Sequence, residues 1–150
     1  MGGTVVLIGS NTGETLIGDD GTTRIKTHVS FVRSTPGVYD ALIAFGDRVP
    51  SRALEDSAVQ KLVRRFDRMG GVIVAVDHGP LLLSAAGVVK GRIMTGWPTI
   101  WEDLRKVGAF APAAPVSVDG NLVTVMGPDH IDDVCMLLPR MIERRRKSAA

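Results

Sequence analysis

Cysteine is nearly missing from this chain: Cys135 is the single one in 150 residues. An internal disulfide is thereby excluded, and the usage fits a reducing compartment, so the expected location is cytoplasmic. Long apolar runs are missing too. No stretch approaches the ~20 residues that a helix needs to span a bilayer, so no membrane role is expected. Met1-Gly2-Gly3-Thr4 has no basic region ahead of an apolar stretch and does not read as a secretory signal. An excess of one charge is also lacking. Eighteen Lys and Arg against sixteen Asp and Glu leave a net charge of +2, despite a pI near 9.0. That balance gives no electrostatic footprint for nucleic acid. There is no dinucleotide-binding glycine fingerprint, no metal-ligand spacing and no internal repeat, so neither a cofactor nor a metal is expected.

What is present is ordinary globular composition, 45% hydrophobic and 23% charged, with 17 glycines and 8 prolines that imply many turns. Residues 4–8 form an apolar, β-branched run that reads as a buried strand. Residues 15–17 and 24–26 flank Asp19-Asp20-Gly21 as a hairpin. A second buried strand is expected over 39–45. A helix over 51–69 has Leu54, Ala58, Leu62, Val63 and Phe66 on one face and Gly70-Gly71 at its end. A third buried strand covers 72–76, followed by Asp77-His78-Gly79-Pro80 and an apolar helix over 81–87. Residues 92–95 suggest a short strand. Thr99 with Glu102 has capping-box spacing for a helix through 104–107. Residues 116–118 and 122–125 flank Asp119-Gly120-Asn121, a second hairpin signal. A last helix, capped by Asp129 or Asp132, runs through Val134, Leu137, Leu138 and Met141. Cys135 reads as a small core residue. The expected organisation is one α/β domain over 1–143, a mainly parallel sheet covered on both faces, and a frayed basic tail over 144–150.

The sharp turn at Asp77 is the leading site. A strand-to-helix elbow presents one side chain at the top of a sheet, and the helix start behind it offers backbone N–H groups and a positive dipole end. Open α/β sheets bind ligands at such carboxyl ends of strands. The dipole favours an anion, so a cysteine there becomes a thiolate. An aspartate there stays a carboxylate and is a poor general acid.

The segment Val76-Asp77-His78-Gly79-Pro80, with Leu82-Leu83 and Ala85-Ala86-Gly87, resembles the nucleophile elbow of the PfpI-type intracellular proteases. Their superfamily includes the Parkinsonism-associated deglycase and isocyanide hydratases. The resemblance continues through Lys90-Gly91-Arg92, Thr95-Gly96-Trp97-Pro98, Asp103-Leu104, Gly108-Ala109, residues 119–124 and Gly127-Pro128-Asp129. It covers roughly residues 39 to 142, and it implies a three-layer α/β/α sandwich with a flavodoxin-like, glutamine-amidotransferase-like sheet. Residues 18–22 and 35–40 are similar to the C-terminal domain of large-subunit catalases, which usually lacks the family cysteine.

Three departures bear on activity. The family pattern reads isoleucine-cysteine-histidine-glycine-proline, and Asp77 stands at the cysteine; Cys135 is too far along the chain to replace it. The family's glycine pair, implied to supply oxyanion-binding N–H groups, reads Gly46-Asp47 here, with Arg48 following. The family's first strand and helix, with their acidic partner residue, have no counterpart, so the fold is N-terminally shortened. That strand would lie inside the sheet, and its loss leaves three expectations: a longer natural chain or a miscalled start, which is favoured; a second copy or a fused or partner domain that completes the sheet; or a rearranged sheet.

The site residues taken from this reading are Asp77 and His78 at the elbow, with Gly46, Asp47, Arg48 and Gly79 around it. Adjacency in sequence does not make Asp77 and His78 a dyad, and the bland role for Asp77 is helix capping. His28 and His130 are isolated and form no metal cluster with Cys135. Trp97 and Trp101 read as packing residues. The first functional expectation is therefore a non-catalytic binding, chaperone-like or structural module. The alternative is a cysteine-independent hydrolase or glyoxalase/deglycase-like enzyme working through Asp77 and His78.

Overall fold

The computed structural model describes residues 2–150. In chain order the strands are β1 (Ile8–Gly9), β2 (Thr15–Ile17), β3 (Arg24–Lys26), β4 (Val29–Ser30), β5 (Ala41–Gly46), β6 (Val72–Asp77), β7 (Val116–Asp119) and β8 (Leu122–Val125). The helices are α1 (Ser51–Glu55), α2 (Ser57–Arg68), α3 (Pro80–Ala85), α4 (Trp101–Lys106) and α5 (Ile131–Ala149). The principal sheet has the order β5-β6-β8-β7, parallel except for the β7–β8 hairpin. Among the described residues no helix is long and apolar enough to cross a membrane.

Strand β6 explains the layering. Its side chains alternate between two apolar clusters, so every residue from Val72 to Val76 is buried. Ile73 and Ala75 face a cluster with Phe66, Leu83, Met94 and Leu104, built on α2, α3 and α4. Val74 and Val76 face the opposite cluster, where Val123, Val125 and Val134 meet the apolar stripe of α5. A strand covered on both faces must read as a continuous apolar run, and this one does. Each fully buried Val, Ile or Leu contributes roughly 1.5–3 kcal/mol. The fold is α/β, a flavodoxin-like sheet between helices.

Several local expectations are corrected. The run over 4–8 forms no strand beyond Ile8, and Val5 is 76% exposed. The segment gains backbone partners only at its end, where the Leu7 carbonyl accepts from the His28 N–H at 2.8 Å. The hairpin over 15–26 forms as expected, and Asp20 fastens its turn by accepting from the Thr22 and Thr23 N–H groups. The Thr23 hydroxyl and these N–H groups hold the Asp20 carboxyl below the usual carboxylate range. Strand β5 is not doubly buried. It is the sheet edge, and Ile43 and Phe45 are 42% and 63% exposed. The helix over 51–69 is broken at Asp56, whose carboxylate caps α2 by accepting from Ala58 N–H at 2.7 Å. Residues 92–95 contribute only the isolated bridge Ile93–Phe110.

Near the carboxyl end, Thr99 caps nothing. It lies in a 3-10 turn, Pro98–Ile100, that leads into α4. Neither Asp129 nor Asp132 caps α5, whose N-cap position is His130 with no side-chain bond. Cys135 is exposed on α5 and is no core residue. The basic stretch expected as a tail is the end of α5, and Arg146 grips Asp40 at 3.0 and 2.7 Å. Those hydrogen bonds hold the Asp40 carboxyl below its ordinary range.

Two features fix the sheet at its ends. At the amino ends of β6 and β8, Arg92 donates to Asp67 Oδ1 at 2.9 Å, and to the Asp119 carbonyl and Asn121 Oδ1 at 2.8 Å each. Asn121 Nδ2 in turn donates to the Gly71 carbonyl at 2.7 Å. At the carboxyl end, Gly79 lies against β5: a Cβ there would sit 2.3 Å from the Ala44 carbonyl oxygen and 2.9 Å from that of Val76. Arg92→Ala is expected to cost about 1–3 kcal/mol, read as a lower urea midpoint with an unchanged m-value. Gly79→Ala meets backbone rather than a yielding side chain and is expected to cost at least about 3 kcal/mol in the same measurement.

Candidate functional site

Asp77 ends β6 with φ +62, and among the described residues it is the one non-glycine in the left-handed region. Asp tolerates that conformation better than most residues, at a cost of about 1 kcal/mol. Asp47, in the place of the family's second glycine, does not share it. The left-handed turn lets the chain reverse at once from strand to helix. His78 N–H then donates to the Gly46 carbonyl at 2.7 Å, and Gly79 N–H to the Val76 carbonyl at 2.9 Å. The elbow N–H groups expected to be free for an anion are therefore already satisfied within the protein.

The side chains meet, although they are neighbours in sequence. Asp77 Oδ1 and His78 Nδ1 are 2.5 Å apart, and the two side chains are 14% and 21% exposed. A carboxylate only accepts, so Nδ1 is the donor, and in the neutral imidazole the lone pair then lies on Nε2. His78 Nε2 faces the Thr99 hydroxyl at 3.3 Å. Thr99 arrives there because its loop is pinned to the elbow. Trp97 N–H donates to the Asp77 carbonyl at 2.9 Å, and a Cβ on Gly96 would lie 2.9 Å from that same oxygen. Trp101 closes the loop by donating from Nε1 to the Gly96 carbonyl at 2.8 Å.

Asp47 completes the cluster: one donor atom each from Asp47, Asp77 and His78 lie within 4.8 Å of one another. Two carboxylates and an imidazole are the side chains here that could hold a cation such as zinc or manganese. The histidine–cysteine set weighed from the sequence is not brought together, and His28 uses its Nδ1 to accept from Leu7 N–H at 2.9 Å. Gly46 lies in register with Asp77, Gly79 is buried beneath the turn, and Arg48 is exposed beside Asp47. Thr99 is the residue that sequence reasoning misassigned. Its capping-box spacing concealed it, and the signal that it lies near the elbow is the Gly96-Trp97-Pro98 loop before it. A cleft of about 830 Å³ lined by Ile93, Arg105, Phe110 and Asp119 is elsewhere, beside the Arg92 hub.

A protein of Pyrococcus horikoshii named as a deglycase is 33% identical over 104 residues, covering 69% of this chain and 63% of that protein. An uncharacterised protein of Archaeoglobus fulgidus is 37% identical over 106 residues, 71% of this chain and 63% of its own length. The chain thus spans less than two thirds of these relatives. Escherichia coli protein/nucleic acid deglycase 2 is 32% identical over 128 residues, 85% of this chain and 74% of that one. Among solved structures, Drosophila melanogaster DJ-1beta superposes with a TM-score of 0.74 at 21% identity, over 96% of this chain and 81% of that one. A two-domain Anabaena variabilis protein with DJ-1/ThiJ/PfpI-like and ferritin-like domains gives 0.82 at 24%, over 93% of this chain and 39% of that one. The DJ-1/PfpI family profile matches residues 1–139, and the chain belongs to the DJ-1/PfpI family.

Proposed function

We propose that this chain is a cysteine-independent hydrolase of small, reactive carbonyl compounds, with His78 as general base and Asp77 as the group that orients it. The observation that carries this reading is the 2.5 Å contact between Asp77 Oδ1 and His78 Nδ1. It replaces the cap expected of Asp77 with a carboxylate–imidazole pair, the arrangement that fixes an imidazole tautomer for proton transfer. His78 Nε2 takes a proton from the attacking oxygen and returns it to the leaving group. Relatives named as deglycases supply a compatible substrate class, adducts of reactive aldehydes.

Electrostatics narrow that class. Asp47 and Asp77 place two carboxylates beside the base, so neutral or cationic substrates are favoured over anions. The N–H groups of His78 and Gly79 are satisfied within the protein and do not serve an oxyanion at the elbow. Peptide bonds, which need that help most, are poor candidates; activated esters and aldehyde adducts need it less. A second reading, a non-catalytic module whose partner or second copy completes the sheet, draws support from the uncovered edge of β5 with Ile43 and Phe45 exposed.

Hydrolysis of a neutral chromogenic ester, and consumption of methylglyoxal, separate the two. The expected result is turnover that falls about 10²–10⁴-fold in His78→Ala, and also falls in Asp77→Asn, with circular dichroism unchanged. Equal rates in the wild type and both variants end the catalytic reading and leave the module.

A further inference from the structure

The base at the elbow already has a hydroxyl in front of it. The geometry points to Thr99 as the nucleophile of a carboxylate–imidazole–hydroxyl relay, Asp77–His78–Thr99, acting on reactive acyl groups. This rests on the reading of His78 as general base, and it replaces water with a side chain in the first step.

Three features built into separate parts of the chain support it. Asp77 Oδ1 lies 2.5 Å from His78 Nδ1, which turns the basic Nε2 outward. Thr99 Oγ1 stands 3.3 Å from that Nε2, a spacing at the loose end of the range for nucleophile and base before substrate binds. The loop that carries Thr99 is held to the elbow itself: Trp97 N–H donates to the Asp77 carbonyl, Gly96 is too close to that oxygen to carry a Cβ, and Ile100 is buried at 4% exposure. Placement on a braced loop distinguishes Thr99 from a passing surface hydroxyl. Thr99 is exposed while Asp77 and His78 are mostly covered, so the relay opens to solvent at its nucleophilic end.

The chemistry balances without any added reagent. Thr99 Oγ bonds to the acyl carbon while its proton passes to His78 Nε2, and Asp77 stabilises the imidazolium through Nδ1–H. The tetrahedral centre collapses, the bond to the leaving group breaks, and the leaving group takes the proton from Nε2. Water then attacks the Thr99 ester, giving its proton to Nε2; the bond between the acyl carbon and Oγ breaks, Oγ takes that proton back from Nε2, and the acid is released.

The test uses the whole chain with p-nitrophenyl acetate, acid-quenched during turnover and digested for mass spectrometry. The expected result is an acetyl group on the peptide that carries Thr99. Thr99→Ser should retain turnover within about tenfold, whereas Thr99→Val should lose at least about 100-fold and show no adduct. Turnover that depends on His78 but survives Thr99→Val, with no acetyl on the wild-type peptide, overturns the nucleophile and leaves His78 activating water. An adduct on Asp77 likewise overturns it. Failure of the wild type to hydrolyse the ester at all overturns both the relay and the general-base reading.

Discussion

The elbow after β6 depends on a distance that permits no side chain. Gly79 passes so close to the Ala44 and Val76 carbonyl oxygens that a methyl group would overlap both. With glycine there, the helix starts directly over the sheet, and Asp77, two residues earlier, bends into the left-handed region to reach it. Asp77 is thereby fixed at the top of the sheet with its side chain projected beyond the strand. The site is in this sense a consequence of packing.

From that point the structure spreads by way of one carbonyl group. The Asp77 oxygen receives the Trp97 N–H, which draws the 96–100 loop in against the elbow. Ile100 and Leu104 then enter the core beside Leu83, so the loop and α4 share the packing of α3. A polar arrangement at the surface is held in place by apolar burial a few residues away on each side.

Much of this was legible in the residues, for reasons that differ by place. Val72 to Val76 could be read as a central strand because burial on two faces requires uninterrupted apolar character. The β7–β8 hairpin was legible from Asp119-Gly120-Asn121, and Gly120 does take φ +58. Residues 4–8 misled because β propensity describes fitness for a sheet, while a strand needs a neighbour to pair with. β5 looked central by the same apolar criterion, and only topology places it at the edge. In the site, Asp77 was found by position, but its contact with His78 turns on side-chain geometry that adjacency does not determine. Thr99 was hidden because a threonine three residues before a glutamate satisfies a local capping rule, and the contact that overrides it comes from 21 residues away.

The Arg92 hub and the elbow lie at opposite ends of β6, six residues and roughly 20 Å apart. Nothing that anchors the hub passes through Asp77, His78 or Thr99. Over evolutionary time such a separation decouples two kinds of selection. Reactive side chains at the elbow can then be exchanged while the hub keeps its anchors, provided that Gly79 stays and the residue at position 77 tolerates the left-handed turn.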